Sequence, residues 1–262
     1  MYTKEVKTTS LLPNTFENIR QKQYLTLKHE LTIGDKLGEV ECKLEPTKPP
    51  YNAISFMDSL LKQFLPREGN FRLWLNSTYE TTDYVTVFKS PRGGFSAVRH
   101  PDDNIIRFKK KSSREPVHPQ YPTISFRTEK TIDIAVRPNA TLLNLAANLF
   151  DTPLSKIKEI GSYYRTKVRI HVISPKNRIY TINIDNVTDD DNHQLQQVEM
   201  KYKGTTVTTI QDQKQRKSEI INDIVNLYEM LIMRTPKDDF PLQPSYITKR
   251  DWLKTNHLTN TS

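Results

Sequence analysis

Two glutamates and a lysine stand at every second position in the segment Glu39-Val40-Glu41-Cys42-Lys43. In an extended strand successive side chains point to opposite faces, so the charged residues share one face and Val40 and Cys42 share the other. Two carboxylates on one face can hold one hard divalent cation, and the neighbouring ammonium can contact an anion that this cation bridges. The segment therefore predicts part of a phosphate site, provided that other strands present similar faces.

Several later segments repeat this alternation of charged and apolar side chains, which is typical of half-buried strands. Their polar positions are Arg107, Lys109 and Lys111; Arg127 and Glu129; Arg165, Lys167 and Arg169; Asn183 and Asp185; and Gln197, Glu199, Lys201 and Lys203. Carboxylates lie on the first and last strands and cations on the middle ones, whereas a solvated face usually mixes both signs. This separation of negative and positive side chains onto different strands favours an interior that holds water or a polyanion, as in a closed barrel with a polar lumen. A solvated outer face stays the alternative for each strand taken alone.

Composition limits the classes of protein that the chain can represent. Its 262 residues are enough for one large β domain, and its 39 Lys and Arg against 30 Asp and Glu give a net charge of +9, which favours an anionic partner. The single cysteine, Cys42, rules out a disulfide framework and indicates a reducing compartment. The spacing of the histidines gives no zinc site, and no Gly-rich phosphate loop is present. No apolar run reaches the roughly 18 residues of a membrane span, and we expect no signal peptide and no membrane partner.

The elements that must position these charges follow from the apolar pattern. Helices are predicted at about residues 15–28, 53–64, 142–150 and 218–232, and residues 155–160 are expected to continue helical. We divide the chain into a polar, helical extension at 1–30, a barrel domain with its C-terminal helix at 31–235, and a tail at 236–262. The tail is interpreted as a loose strap or docking segment with Trp252 exposed.

The order of the charged strands resembles the triphosphate tunnel metalloenzymes. Within that superfamily it is most similar to the fungal and protozoal mRNA 5′-triphosphatases, the β-subunit type of capping enzyme. The motifs that carry the resemblance are Glu39-x-Glu41-x-Lys43, Ile124-Ser-x-Arg127-x-Glu129, Arg165-x-Lys167-x-Arg169, Ile184-Asp185-x-Val187 and the strand through Glu199. They cover about residues 37 to 203 in the family's order.

The resemblance implies a mainly β (α+β) fold: a closed antiparallel eight-stranded barrel that encloses a tunnel, with helices packed on the outside. It also implies removal of the γ-phosphate from 5′-triphosphate RNA, the first step of mRNA capping, with Mg²⁺ or Mn²⁺ as cofactor. The implied metal ligands are Glu39, Glu41 and Glu199. The implied catalytic residues are Glu129, Asp185, Arg165, Lys167 and Arg169, and the implied substrate-binding residues are Lys43, Arg107, Lys109, Arg127 and Lys201.

One strand departs from the family pattern. The last strand of the family usually offers alternating glutamates, whereas the corresponding face here reads Gln197, Glu199, Lys201. If Glu199 aligns with the family's metal ligand, the site keeps three glutamates and Lys201 lies toward the mouth of the tunnel, which is the reading we favour. If the register is shifted by two residues, Lys201 replaces the ligand and the metal site is compromised.

Two other functions stay open: a hydrolase of inorganic or nucleoside triphosphates with the same fold, and a catalytically silent module that binds polyanions or serves in an assembly. Since the chain has no Lys-x-Asp-Gly motif, we expect the guanylyltransferase to be a separate polypeptide. A homodimer is also open. We expect the protein in the nucleus, or in the cytoplasm if it is encoded by a virus or plasmid.

Overall fold

A computed structural model describes residues 39–63, 71–91, 93–100, 104–135, 141–205, 213–234 and 240–259. The predicted extension at 1–30 and its helix at 15–28 lie outside these residues. The strands are β1 (Glu39–Pro46), β2 (Arg72–Ser90), β3 (Gly93–Arg99), β4 (Ile105–Lys111), β5 (Glu115–Pro116), β6 (Ser125–Arg127), β7 (Glu129–Ala135), β8 (Lys158–Ile173), β9 (Arg178–Asp189), β10 (Gln194–Thr205) and β11 (Leu242–Pro244). The α-helices are α1 (Ala53–Gln63), α2 (Leu142–Leu149), α3 (Gln213–Arg234) and α4 (Lys249–Thr259).

All eleven described strands belong to one antiparallel sheet, in the order β5-β6-β1-β10-β9-β8-β2-β3-β4-β7, with β11 also paired to β1. The strands β6 and β7 are separated only by Thr128, so one extended segment pairs with β1 at one end of this order and with β4 at the other. The hydrogen-bonded ladder does not close into a ring among the described strands. The mainly β, antiparallel prediction is therefore confirmed, whereas backbone pairing does not give a closed eight-stranded barrel.

The alternation in the sequence places the core on one face of the central strands. Residues of β1, β8, β9 and β10 are buried there together with α1 and α3, namely Val40, Cys42, Leu44, Val168, Ile170, Val172, Tyr180, Ile182, Ile184, Val198 and Met200. The predicted apolar stripe of α3 supplies Ile220, Ile224, Tyr228 and Leu231 to this core, and Leu227, which was not predicted, joins them. The opposite face of the same strands carries the charged residues, and it is enclosed as well.

Residues 155–160 are not helical beyond one short turn. A 3₁₀ turn spans Leu154–Lys156, and β8 begins at Lys158. Lys158 and Glu159 pair with Lys89 and Phe88 near the end of the 19-residue strand β2. This long-range pairing, which local sequence does not reveal, decides the local conformation.

The segment at 240–259 packs on the sheet. β11 pairs with β1, and α4 buries Trp252 and Leu253 in a cluster that includes Val85, Val98 and Tyr163. Trp252 is therefore buried rather than exposed as predicted, because α4 packs its apolar face against the sheet. None of the described helices is long and apolar enough to cross a membrane.

Candidate active site

The charged faces of the strands meet around a cavity of about 380 Å³. Among the described residues, twelve Lys or Arg side chains line it, against four Asp or Glu side chains. The cations come from β1, β4, β6, β8, β10, the loop after β4 and the start of α4. An enclosed wall with this excess of positive charge attracts anions strongly, because water screens charges less inside a cavity than at an open surface.

Three glutamates converge on one ammonium at the wall of this cavity. The Lys201 Nζ lies 3.1 Å from Glu39 Oε1, 3.3 Å from Glu41 Oε2 and 2.9 Å from Glu199 Oε2. The backbone register explains the arrangement, because Lys201 is the direct cross-strand partner of Glu41, and Glu199 is that of Lys43. Lys201 thus lies among the predicted metal ligands rather than toward a tunnel mouth.

Arg127 joins two of these carboxylates from the next strand. Its Nε donates to Glu39 Oε2 at 2.8 Å and its Nη2 donates to Glu41 Oε2 at 2.7 Å. Lys111 lies 3.1 Å from Glu39 Oε2. The Arg114 Nη2 is 3.2 Å from Glu41 Oε1 but lacks hydrogen-bond geometry, so this oxygen accepts no hydrogen bond from a described residue.

Glu199 is surrounded in the same way. Lys43 Nζ and Lys249 Nζ each lie 2.7 Å from its Oε1. Lys249 also lies 2.8 Å from Asp185 Oδ2, and Lys167 lies 3.6 Å from Asp185 Oδ1. The first residue of α4 therefore connects β9 and β10 through their buried carboxylates.

The cations decide the protonation of the cluster. Burial would raise the pKa of Glu39, Glu41 and Glu199, but nearby cations, with Lys201 foremost, hold the pKa of each below its usual value. Burial would lower the pKa of Lys201, but Glu199, Glu39 and Glu41 outweigh it and raise that pKa well above its usual value. Glu39, Glu41, Glu199 and Lys201 are therefore charged at neutral pH.

The predicted divalent metal does not fit the glutamates as they are arranged. Every carboxylate oxygen of Glu39, Glu41 and Glu199 has a Lys or Arg nitrogen within 3.3 Å. A Mg²⁺ or Ca²⁺ ion would need to lie roughly 2–2.6 Å from the same oxygens, and thus almost on the Lys201 ammonium. Among the described residues, no group of three or more His, Cys, Asp or Glu is arranged to hold a metal ion.

Further cations of β8 and β10 face the cavity. Lys203 is in ion-pair contact with no carboxylate of the described residues, and burial together with Lys201 lowers its pKa to about 8. Burial also lowers the pKa of Lys167 well below its usual value, although Asp185 opposes the shift. Arg169 lines the same wall and donates from Nε to Asn183 Oδ1 at 2.8 Å. Of these three, Lys203 is the side chain most available to an anion.

Glu129 lies beside the glutamate cluster, because Lys111 contacts both Glu39 and Glu129. Its carboxylate is 3.3 Å from Lys109 Nζ and 2.7 Å from Lys111 Nζ. Burial would raise its pKa, but Lys111 and Lys109 lower it to about 2. Glu129 is therefore ionised at neutral pH and is a weak base.

Almost all predicted site residues line this cavity or contact a residue that does. The exception is Arg107, whose guanidinium binds Asp133 at 2.8 and 2.7 Å, is 44% exposed and does not line the cavity. It shares the parity of Lys109 but lies nearer the other end of β4, where the strand is open to solvent. The alternation of side chains along β4 predicted which face Arg107 lies on, but not how far it lies from the cavity.

Three participants were not predicted from the sequence. Lys249 comes from the segment interpreted as a tail, and Arg114 from the loop after β4. The third is Asp83 of β2, which accepts hydrogen bonds from Arg165 Nε and Nη2. Burial would lower the pKa of Arg165, but Asp185 and Asp83 outweigh it and raise that pKa. Polar and apolar side chains do not alternate around Asp83, so the pattern used for the other strands gave no signal for it.

Solved structures similar to this chain include RNA triphosphatases. The capping enzyme triphosphatase of mimivirus matches with a TM-score of 0.38 and 12% identity, over 80% of this chain and 96% of that one. The S. pombe RNA triphosphatase, solved in complex with the Spt5 CTD, matches with a TM-score of 0.38 and 12% identity, over 88% and 98%. No protein-family model and no curated protein matches. At this level of similarity the function has to be argued from the residues of the cavity.

Proposed function

We propose that this chain is an RNA 5′-triphosphatase: it binds the triphosphate end of an RNA in the cationic cavity and removes the γ-phosphate. The product, a diphosphate end, would be the substrate of a separate guanylyltransferase in mRNA capping. The observation that supports the proposal is the cavity wall itself, with twelve cations against four carboxylates. The order of strand motifs, which resembles that of capping triphosphatases, agrees with it.

The size of the cavity favours a phosphate chain over a longer piece of nucleic acid. Its volume of about 380 Å³ lies near the lower end of the ~300–1,000 Å³ range of small-ligand sites. A triphosphate carries its charge in a short, narrow chain and needs no contact with the base. Lys167, Arg169 and Lys203 of β8 and β10 and Lys109 of β4 line the cavity and are placed to contact such a chain.

The same residues provide the electrostatic part of catalysis. Negative charge develops on phosphoryl oxygens as the γ-phosphate is transferred to water, and fixed cations that offset it lower the barrier. Because Glu129 is ionised and a weak base, its role would be to accept a hydrogen bond from the attacking water and orient it. Asp185 would act as a positioning residue, since it holds Lys167 and Lys249. A requirement for Mg²⁺ or Mn²⁺ is not included in this proposal, because Lys201 lies between the predicted ligands.

A second candidate function is a catalytically silent module that binds polyanions. The position of Lys201 favours it, because the three glutamates are already neutralised by cations of the chain. This candidate shares the cavity and its ligand class with the first, and differs only in the absence of turnover.

One assay separates the two functions. The full chain is incubated with RNA carrying a labelled γ-phosphate, in Mg²⁺, in Mn²⁺ and in EDTA, beside ATP and inorganic triphosphate. Release of labelled phosphate that Lys167→Ala abolishes and exposed Lys176→Ala leaves unchanged supports the phosphatase. Binding of the RNA without release supports the silent module. Neither release nor binding would refute both.

A further inference from the structure

We propose that Lys201 takes the place of a divalent cation in this protein: its ammonium is the resident counter-ion of Glu39, Glu41 and Glu199, and the cavity binds a triphosphate without a metal ion. The departure at the last charged strand is then the defining feature of the site. The counter-ion role of Lys201 does not depend on the proposed phosphatase function. The binding of a triphosphate without a metal ion rests on that function.

The geometry supports this in three respects. An ammonium has three N–H groups, and Lys201 has three carboxylates at 2.9 to 3.3 Å, which are distances of ion pairing rather than of metal coordination. Lys201 is buried, so its position is fixed by packing. It is also the direct cross-strand partner of Glu41, so the backbone register of β1 and β10 brings the ammonium to the glutamates.

The remaining contacts complete the neutralisation. Arg127 bonds Glu39 and Glu41 together, and Lys43 and Lys249 contact Glu199. A divalent ion entering this cluster would have to displace Lys201 and then lie beside Arg127, Lys43 and Lys249. Like charges at such distances repel strongly inside a protein. The cluster is thus built to exclude a metal, while the cations beyond it stay available to an anionic ligand.

The first test is a titration of the full chain with Mn²⁺ alone, followed by electron paramagnetic resonance of free Mn²⁺. The wild-type protein should show no saturable binding below about 1 mM. Lys201→Gln should gain one site that binds at least about tenfold more tightly, and Lys201→Gln combined with Glu41→Gln should lose it again. Lys176→Gln, which changes an exposed lysine, should behave as wild type.

Stoichiometric binding of Mn²⁺ to the wild type that Glu41→Gln removes would overturn the proposal, as would a folded Lys201→Gln protein that gains no site. Circular dichroism establishes whether that variant folds. If it does not, Lys201→Arg keeps the cation and should, like wild type, show no site, and the wild-type titration still decides.

The second test is a calorimetric titration with inorganic triphosphate in EDTA. Saturable binding that weakens at least about tenfold in Lys167→Ala supports metal-free recognition. Binding that appears only when Mg²⁺ is added would overturn it. If this test fails and the Mn²⁺ test succeeds, metal-free binding of triphosphate is refuted while Lys201 remains the counter-ion of the glutamates. The two claims can therefore fail separately.

Discussion

Lys249 Nζ lies 2.7 Å from Glu199 Oε1, so the first residue of the C-terminal helix α4 places an ammonium in the carboxylate cluster of the sheet. The same nitrogen lies 2.8 Å from Asp185 Oδ2. Because both carboxylates are buried, the helix and the site are coupled through these contacts. The C-terminal segment is therefore part of the site.

Replacement of Lys249 by methionine should destabilise the protein. The change keeps the apolar stem but leaves Glu199 and Asp185 with one cation fewer, which we expect to cost about 2 kcal/mol. This is less than the ~3–5 kcal/mol for breaking an isolated buried pair, since Lys43 and Lys167 remain. Urea unfolding measures it. The control is Lys254→Met on the same helix, an exposed residue that should change stability by less than about 0.5 kcal/mol. Equal effects of the two changes would contradict the coupling.

Replacement of Asp185 by asparagine should lower both thermal stability and turnover. It removes the only carboxylate that contacts Lys167 and one of two that contact Lys249 among the described residues. We expect a loss of roughly 3 kcal/mol, within the range for an uncompensated buried charge. Asp133→Asn is the matched control, because Asp133 pairs with Arg107 at the surface and should cost at most about 1 kcal/mol. If Asp185→Asn melts like the parent, Asp185 does not hold these cations.

How far the sequence predicted the site depends on the kind of contact. The parity of β1 placed Glu39 and Glu41 on one enclosed face, and the alternation in β8 and β10 did the same for Lys167 and Glu199. Register between strands cannot be read from one sequence, since a strand can slide along its neighbour by two residues without changing its faces. The position of Lys201 opposite Glu41 therefore required the structure.

Contacts from outside the alternating strands were also beyond prediction. Lys249 stands in a segment with no periodic signal strong enough to dock it, and Arg114 stands in an irregular loop. Both reach the cluster through long-range packing, by Trp252 of α4 and by pairing of β5 with β6 respectively. The course of the chain from β6 into β7, which brings the two ends of the sheet to one segment, depends on such packing too.

The affinity for inorganic triphosphate should fall as the pH rises above about 8. Burial and Lys201 lower the pKa of Lys203 to about 8 in the free protein, and a bound anion would raise it again. Binding therefore takes up protons at and above this pH, and the free energy of binding becomes less favourable as Lys203 loses its charge. Calorimetry in two buffers of different ionisation enthalpy measures the uptake. Lys203→Arg keeps its charge and should flatten the pH dependence; an unchanged profile would exclude Lys203 from the ligand.

Acid should destabilise the fold through Glu129. Its pKa is lowered to about 2 by Lys111 and Lys109 in spite of burial, whereas in the unfolded chain it titrates near its ordinary value of about 4.3. The stabilisation is thus fully present above that ordinary value and is lost as the pH falls through the folded value. Urea unfolding between pH 5 and pH 2 should show a smaller loss of stability in Glu129→Gln than in wild type. Parallel curves for the two proteins would show that Glu129 is not paired in solution.

The most direct test of the proposed function is a comparison of one RNA carrying either a 5′-triphosphate or a 5′-monophosphate, titrated into the full chain by calorimetry at fixed salt. The cavity is lined for a phosphate chain, so we predict that the triphosphate end binds at least about tenfold more tightly, and that Lys167→Ala removes most of this difference. Equal affinity for the two ends, or a preference that Lys167→Ala leaves intact, would contradict the account.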